Sequence, residues 1–247
     1  MKLLLDDTRV EWALASVLAL IAGYLDGYGF LVLGTFVSFM SGNTTTIGLR
    51  SGQQNFLAAF PSAVAVLSFV TGSFLGNLLN QSRLRDSHRL TFGVIAGLLA
   101  TVAGLERQGQ WNAPAEIALL SLAMGMMNAA LSKVGAESVS LTFVTGTLNR
   151  IGGHLAAAAV RKPIPSGEDP RDSQLARARI DASVWSAFLV GAALSGMTGK
   201  HFRHWALLPP GLVMIALGLF SKDAAPENEK RSISPRKGLM PHTESPR

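Results

Sequence analysis

Residues 23–48 read GYLDGYGFLVLGTFVSFMSGNTTTIG, which sets one carboxylate, Asp26, one amide, Asn43, and a run of hydroxyls inside apolar sequence. A weaker copy follows later in the chain, where Gly125, Asn128, Phe143, Thr145, Gly146 and Gly152 answer Gly23, Asp26, Phe39, Ser41, Gly42 and Gly48. Polar groups at membrane depth cost several kcal/mol unless they are satisfied, so a polar centre kept twice reads as a site before it reads as filler.

Outside these stretches the composition sets the class. The chain has 247 residues, 15% of them charged, and a formal net charge of +6, with a mean hydropathy of +0.30. Charge gathers at residues 2–11, 81–89, 161–181 and 222–247 and leaves long apolar stretches between, a distribution that excludes an ordinary soluble domain. Zero cysteines exclude disulfides, thiolate metal sites and cysteine nucleophiles. Asp6 and Asp7 interrupt the start where a secretory signal needs an apolar core, so the first helix is expected to be a retained membrane anchor.

A spanning helix needs roughly 20 mostly apolar residues. Trp12–Leu33, Phe56–Leu79 and Ala182–Gly199 meet that length; Leu90–Leu105, Ile117–Ser132 and Trp205–Ser221 are shorter but bounded by charge or proline, and flanking residues extend them by snorkelling. Two blocks fit neither description: Phe36–Leu49 is short, and Val139–Val160 carries Arg150 and His154. Lys and Arg concentrate in cytoplasmic loops. If both odd blocks re-enter on one side, six spans remain, and Lys2, Arg9, the 81–89 loop, the 161–181 loop and the tail share the cytoplasmic face. Three spans and one re-entrant segment per half then force the copies to insert in opposite senses. The expectation is an all-α integral membrane protein of about six transmembrane helices plus two short re-entrant or half-helical segments, arranged as an inverted repeat. Its parts are a cytoplasmic N-terminus over 1–9, a membrane domain over 10–221 with repeats at 10–106 and 112–221 and a flexible loop at 161–179, and a disordered basic tail over 222–247. That reading places both termini on the cytoplasmic side.

The same residues carry a family likeness. Gly23-Tyr24-Leu25-Asp26-Gly27, then Phe36-Val37-Ser38-Phe39-Met40-Ser41-Gly42-Asn43, then Gly48 resemble the YoaK-like family of bacterial inner-membrane proteins, a domain of unknown function numbered 1275. The resemblance extends by hydropathy over roughly residues 10–221. It implies an integral inner-membrane protein with about six helices and supplies no established substrate.

In inverted repeats the ligand site usually lies near the bilayer midplane, where broken helices point their N-termini inward. The expected binding residues are Asp26, Ser41, Gly42, Asn43, Thr44, Asn128, Thr145, Gly146 and Thr147: glycines for the turns, hydroxyls and amides to cap the half-helices, and exposed N–H groups that favour an anion or a polar carbonyl. Asp26 is read either as a coupling-ion site or as a hydrogen-bonded tie from the first helix to the re-entrant backbone. Arg150 is expected to snorkel, the alternative being pairing with an anion or with Asp26, and His154 to be a satisfied interfacial histidine. The other histidines are scattered, so no metal is expected, and no cofactor. Small residues at Gly72/Gly76, Gly93/Gly97 and Gly191/Ser195 are read as close-approach surfaces and leave contacts within one chain and a homodimer both open. Expected partners are membrane lipids, which the basic tail would touch, and a small solute; nucleic acid is not among them.

No G-x-S-x-G elbow, H-E-x-x-H, P-loop or dinucleotide fingerprint occurs, so no catalytic residue is assigned and the protein is not read as an enzyme. The leading expectation is a secondary transporter or channel-like permease for a small polar or anionic solute. Its alternatives are a non-transporting membrane scaffold whose polar centre locks helices together and, further off, an intramembrane hydrolase pairing Ser41 or Ser38 with His154.

Overall fold

Two asparagines and one serine explain where three of the helices start. The computed structural model describes residues 8–82, 86–109, 112–130, 133–134, 137–138, 144–161, 173–198, 202 and 205–220, and these form eight α-helices. They are α1 (Thr8–Tyr28), α2 (Met40–Gly52), α3 (Phe56–Gln81), α4 (Ser87–Arg107), α5 (Ala113–Ala130), α6 (Val144–Ala159), α7 (Gln174–Thr198) and α8 (Leu208–Phe220). Asn55, Asn112 and Ser173 accept the N–H of Ala58, Ala115 and Ala176 and so cap α3, α5 and α7. Pro114 and the pair Pro209–Pro210 fall in the first turns of α5 and α8, where the missing N–H has no helical partner to lose. Among the described residues the one strand pairing is a hairpin, β1 (Lys133–Val134) against β2 (Glu137–Ser138), which the apolar pattern does not announce.

Five helical segments are long and apolar enough to cross a membrane: Trp12–Leu33, Phe56–Gln81, Ser87–Arg107, Ala113–Ala130 and Gln174–Thr198. The expected sixth, Trp205–Ser221, is the 13-residue α8. The two odd blocks become α2 and α6, of 13 and 16 residues. One expectation is corrected: residues 174–179 are not part of a flexible loop but the start of α7. The Ser173 cap starts α7 there, and buried Ala178 and Asp181 hold its first two turns against the protein. The N-terminal residues before Thr8, the 162–172 stretch and the tail over 222–247 lie outside the described residues.

Helices α1 and α5 form the centre. Ala15, Leu18, Ala22 and Leu25 of α1 and Leu120, Met124 and Met127 of α5 are fully enclosed, joined by Leu99 and Val102 of α4 and Met214 of α8. α3 and α7 lie outside them and turn Leu57, Leu67 and Phe74, and Leu189, Leu194 and Met197, away from the protein. A hydrophobic surface of that extent is the lipid-facing side of a membrane domain.

α1 pairs with α7 and α3 with α5, while α2 rests on α3 and α6 on α7. Four glycines bring the two main pairs into backbone contact. A Cβ on Gly23 would overlap the carbonyl oxygen of Phe188, and one on Gly191 that of Leu20; across the other pair, Gly72 meets Leu122 and Gly125 meets Phe69 in the same way. One turn further on, Gly27 faces Ser195 and Gly76 faces Ala129. Each residue of the α1–α7 crossing thus has its counterpart, in the order the duplicated sequence gives, in the α5–α3 crossing.

Gly191→Ala is expected to force α1 and α7 apart and lower stability by about 1–3 kcal/mol, the usual cost of overfilling a close-packed interface. Gly97→Ala, at a helical glycine with open space beside it, is expected to be neutral or to stabilise by up to about 1 kcal/mol. Thermal unfolding of the two variants in detergent checks the difference.

Candidate functional site

The chain reversal after α1 is built by a π-helical turn, Gly29–Leu33, that ends at Gly34 in the left-handed region with φ 70°. Gly34 is where the chain needs a residue without a Cβ. Residues 35–39 then fold back over α1, Thr35 and Val37 resting on Gly29. This loop would leave buried N–H groups orphaned, and Asp26 answers them: its Oδ1 accepts the N–H of Val37 at 2.9 Å and of Ser38 at 2.8 Å. From the other side Asn43, 2% exposed, donates Nδ2 to the Phe36 carbonyl at 2.7 Å. Phe36 stacks on Phe30 with ring centroids 4.6 Å apart and meets Phe39 edge-on at 5.3 Å. Asp26 and Asn43 therefore clamp one loop between α1 and α2, the tie that the sequence offers as one of its two readings.

The remaining expected residues of the first half face outward. Ser41 and Thr44 are exposed and Gly42 is partly covered by the Phe39 ring. Thr44 and Thr46 return their hydroxyls to the carbonyls of Met40 and Gly42, so both are satisfied within α2. In the second half Asn128 is half-buried on α5, Thr145 is exposed, Gly146 is half-buried, and Thr147, 3% exposed, occupies in α6 the place Asn43 holds in α2. Phe143 lies outside the described residues.

Arg150 does not snorkel. It reaches across to α7 and pairs with Asp181: Nε lies 3.1 and 3.3 Å from the two carboxylate oxygens, Nη2 lies 2.9 Å from Oδ1, and Nη2 also reaches Thr147 Oγ1 at 3.3 Å. One turn along the same face, His154 Nδ1 lies 2.8 Å from Gln174 Oε1. Asp181 is the buried polar residue of this cluster that the sequence reading missed. It stands at the edge of a charged loop, and only the periodicity of Ala178, Asp181 and Val184 on one helical face signals that it points inward.

The expected residues thus fall into two clusters. Asp26 adjoins Gly27, which faces Ser195, while Asp181 lies about 20 Å from Ser195 along α7 at 1.5 Å per residue. Arg150 therefore does not pair with Asp26, as one reading of the sequence allowed. Two further carboxylates are enclosed: Glu106 accepts the Tyr28 hydroxyl at 2.6 Å, and Glu116 in the first turn of α5 is 0% exposed. Both were read as charges bounding shorter spans; α4 and α5 extend past those bounds and take them into helix.

Long apolar helices around a tightly crossed centre, with enclosed polar clusters and a lipid-facing outer surface, define an all-α membrane protein. A family model described as "Protein of unknown function (DUF1275)" matches residues 14–220, and the chain belongs to that family. It is 30% identical over 210 residues to UPF0700 transmembrane protein RA0705 of Rhizobium meliloti (strain 1021), covering 85% of each chain. It is 26% identical over 220 residues to UPF0700 transmembrane protein YoaK of Bacillus subtilis (strain 168), covering 85% of this chain and 93% of that one. No solved structure matches it.

Asp26→Ala is expected to lower stability by about 1–3 kcal/mol for each loop N–H it orphans. Asp26→Asn keeps an acceptor oxygen and should recover most of that loss. Unfolding midpoints in one detergent distinguish the two, and equal loss in both variants would remove the clamp from the account.

Proposed function

We propose that this protein is a secondary transporter or channel-like permease for a small polar or anionic solute, working without catalysis in a bacterial inner membrane. The observation that supports it is the outer face of the two half-helices. Ser41, Thr44 and Thr45 on α2 and Thr145 and Asn149 on α6 turn polar side chains away from the protein, and Ser41 with Thr145 and Thr45 with Asn149 correspond in the duplicated sequence. Lipid favours apolar side chains there, as α3 and α7 show, whereas hydroxyls and amides suit a water-filled path. Two short helices, each resting on one long span, are the elements such a path would use.

The matched crossings Gly23/Gly191 and Gly125/Gly72 favour a duplicated architecture, and with the apolar α8 as a sixth span three spans per half would make it an inverted repeat. With Lys and Arg on the cytoplasmic side, both termini face inward. The scaffold reading draws on the Asp26 clamp, which needs no solute to explain it.

Thr44→Val and Thr145→Val separate the two functions, because each replaces an outward hydroxyl by an isosteric methyl and leaves the helix backbone bonded. In proteoliposomes screened with small carboxylates, amides and inorganic anions, the permease reading expects the double variant to fold normally and lose flux several-fold. Normal folding with undiminished flux, or no flux for any solute in the unaltered protein, favours the scaffold.

The chain has no cysteine, so single cysteines introduced at Gln81 and Arg161 report sidedness directly. Both are expected to react with an impermeant thiol reagent only from the cytoplasmic face. Reaction from opposite faces would overturn the inverted arrangement.

A further inference from the structure

The Arg150–Asp181 pair has a property that holding α6 to α7 does not require. The first half of the molecule performs the same docking without charge. By the correspondence of Ser41 with Thr145 and of Gly72 with Gly191, Thr46 stands where Arg150 stands and Ser62 where Asp181 stands, so α2 rests on α3 with no charge at either position. Ser62 is 4% exposed and Asp181 2%, so the two positions are equally enclosed. A buried ion pair is a weak stabiliser, since well-packed apolar residues of similar volume often replace it without loss. An ion pair kept in one half only therefore needs another reason.

Its geometry supplies one. The side chain of Asp181 is 3% exposed and that of Arg150 24%, so the carboxylate is sealed and the guanidinium open. Nε and Nη2 are taken by Asp181 and Thr147, while Nη1 has no hydrogen-bond partner among the described residues. Two N–H donors of a permanent cation, both on Nη1, thus project from the pair and are open to an oxyanion. Asp181 already occupies one edge of that fork and sets the orientation of the other.

We infer that Arg150 is the binding group for an oxyanion, a carboxylate or phosphate, taken on the free Nη1 edge of its guanidinium in competition with Asp181. The inference deepens the permease reading, rests on it for the direction of use, and stands on its own as a binding site. Asp181 is the positioning residue: it holds the guanidinium flat against α7 and sets the affinity low enough for release. The same chemistry is offered by a soluble anion and by the phosphate of a lipid headgroup.

The test uses the full chain in a neutral detergent, with acetate or inorganic phosphate replacing chloride at constant ionic strength and the thermal unfolding midpoint as readout. Acetate or phosphate is expected to raise the midpoint of the unaltered protein by several degrees. Asp181→Asn, which removes the competing charge, is expected to bind the same anion at least tenfold more tightly. Arg150→Lys should weaken the response, and the double variant Arg150→Met/Asp181→Leu, which keeps the contact without charge, should fold and lose it. A parallel arm in nanodiscs compares phosphatidylglycerol with phosphatidylcholine; a response to the anionic lipid alone assigns the site to a headgroup. Absence of any anion or lipid response, or a response that survives in the double variant, overturns the inference. Binding without flux in proteoliposomes would instead overturn the permease reading and leave the site standing.

Discussion

Direct backbone contact at two glycine crossings is the constraint on which the rest of the structure depends. In a membrane the hydrophobic effect does not drive helices together, because lipid is as apolar as leucine; close van der Waals approach and polar contacts do. Gly23 and Gly191 let α1 and α7 touch, and Gly125 and Gly72 do the same for α5 and α3. Side-chain bonds then fix the register of each pair: Trp12 donates to Ser183 and Tyr24 bonds Thr198 at 2.9 Å across the first, and Asn80 donates to the Ala129 carbonyl at 2.7 Å across the second. With these pairs set, α2 and α6 have only the outer spans α3 and α7 to rest on, and each half-helix is placed beside its own neighbour.

The polar residues follow from that placement. A loop folded back into the protein must satisfy its own N–H groups, and Asp26 and Asn43 do so from opposite sides. In the second half Arg150, Thr147 and Asp181 meet at the α6–α7 surface. The two halves share a backbone plan and differ in charge: a carboxylate on backbone donors in one, a guanidinium on a carboxylate in the other.

Much of this was legible in the sequence, for identifiable reasons. Span positions come from apolar runs, and Asp26, Asn43 and Thr147 stand out because they interrupt such runs. The glycine crossings were visible as spacing at Gly72/Gly76 and Gly191/Ser195, although spacing does not name the partner helix. What escaped were residues at the ends of runs. Asp181, Glu106 and Glu116 look like loop charges in a linear reading, and only helices extending past the apolar window take them in: α7 and α5, started by Ser173 and Asn112, and the last turn of α4. The partner of Arg150 escaped for the related reason that it lies thirty-one residues away across a charged segment.

The glycines of the half-helices differ from those of the crossings. Gly48 and Gly52 in α2 and Gly152 and Gly153 in α6 face open space, so nothing inside the protein compensates the roughly 1 kcal/mol by which each weakens its helix relative to alanine. Helices of 13 and 16 residues are near the length below which an isolated helix is marginal in water. Two segments of low local stability are thus grafted onto a frame whose centre is locked by backbone contact. Their amide protons should exchange with solvent long before those of α1 and α5, and any opening of the molecule begins by unwinding there while the long helices stay fixed.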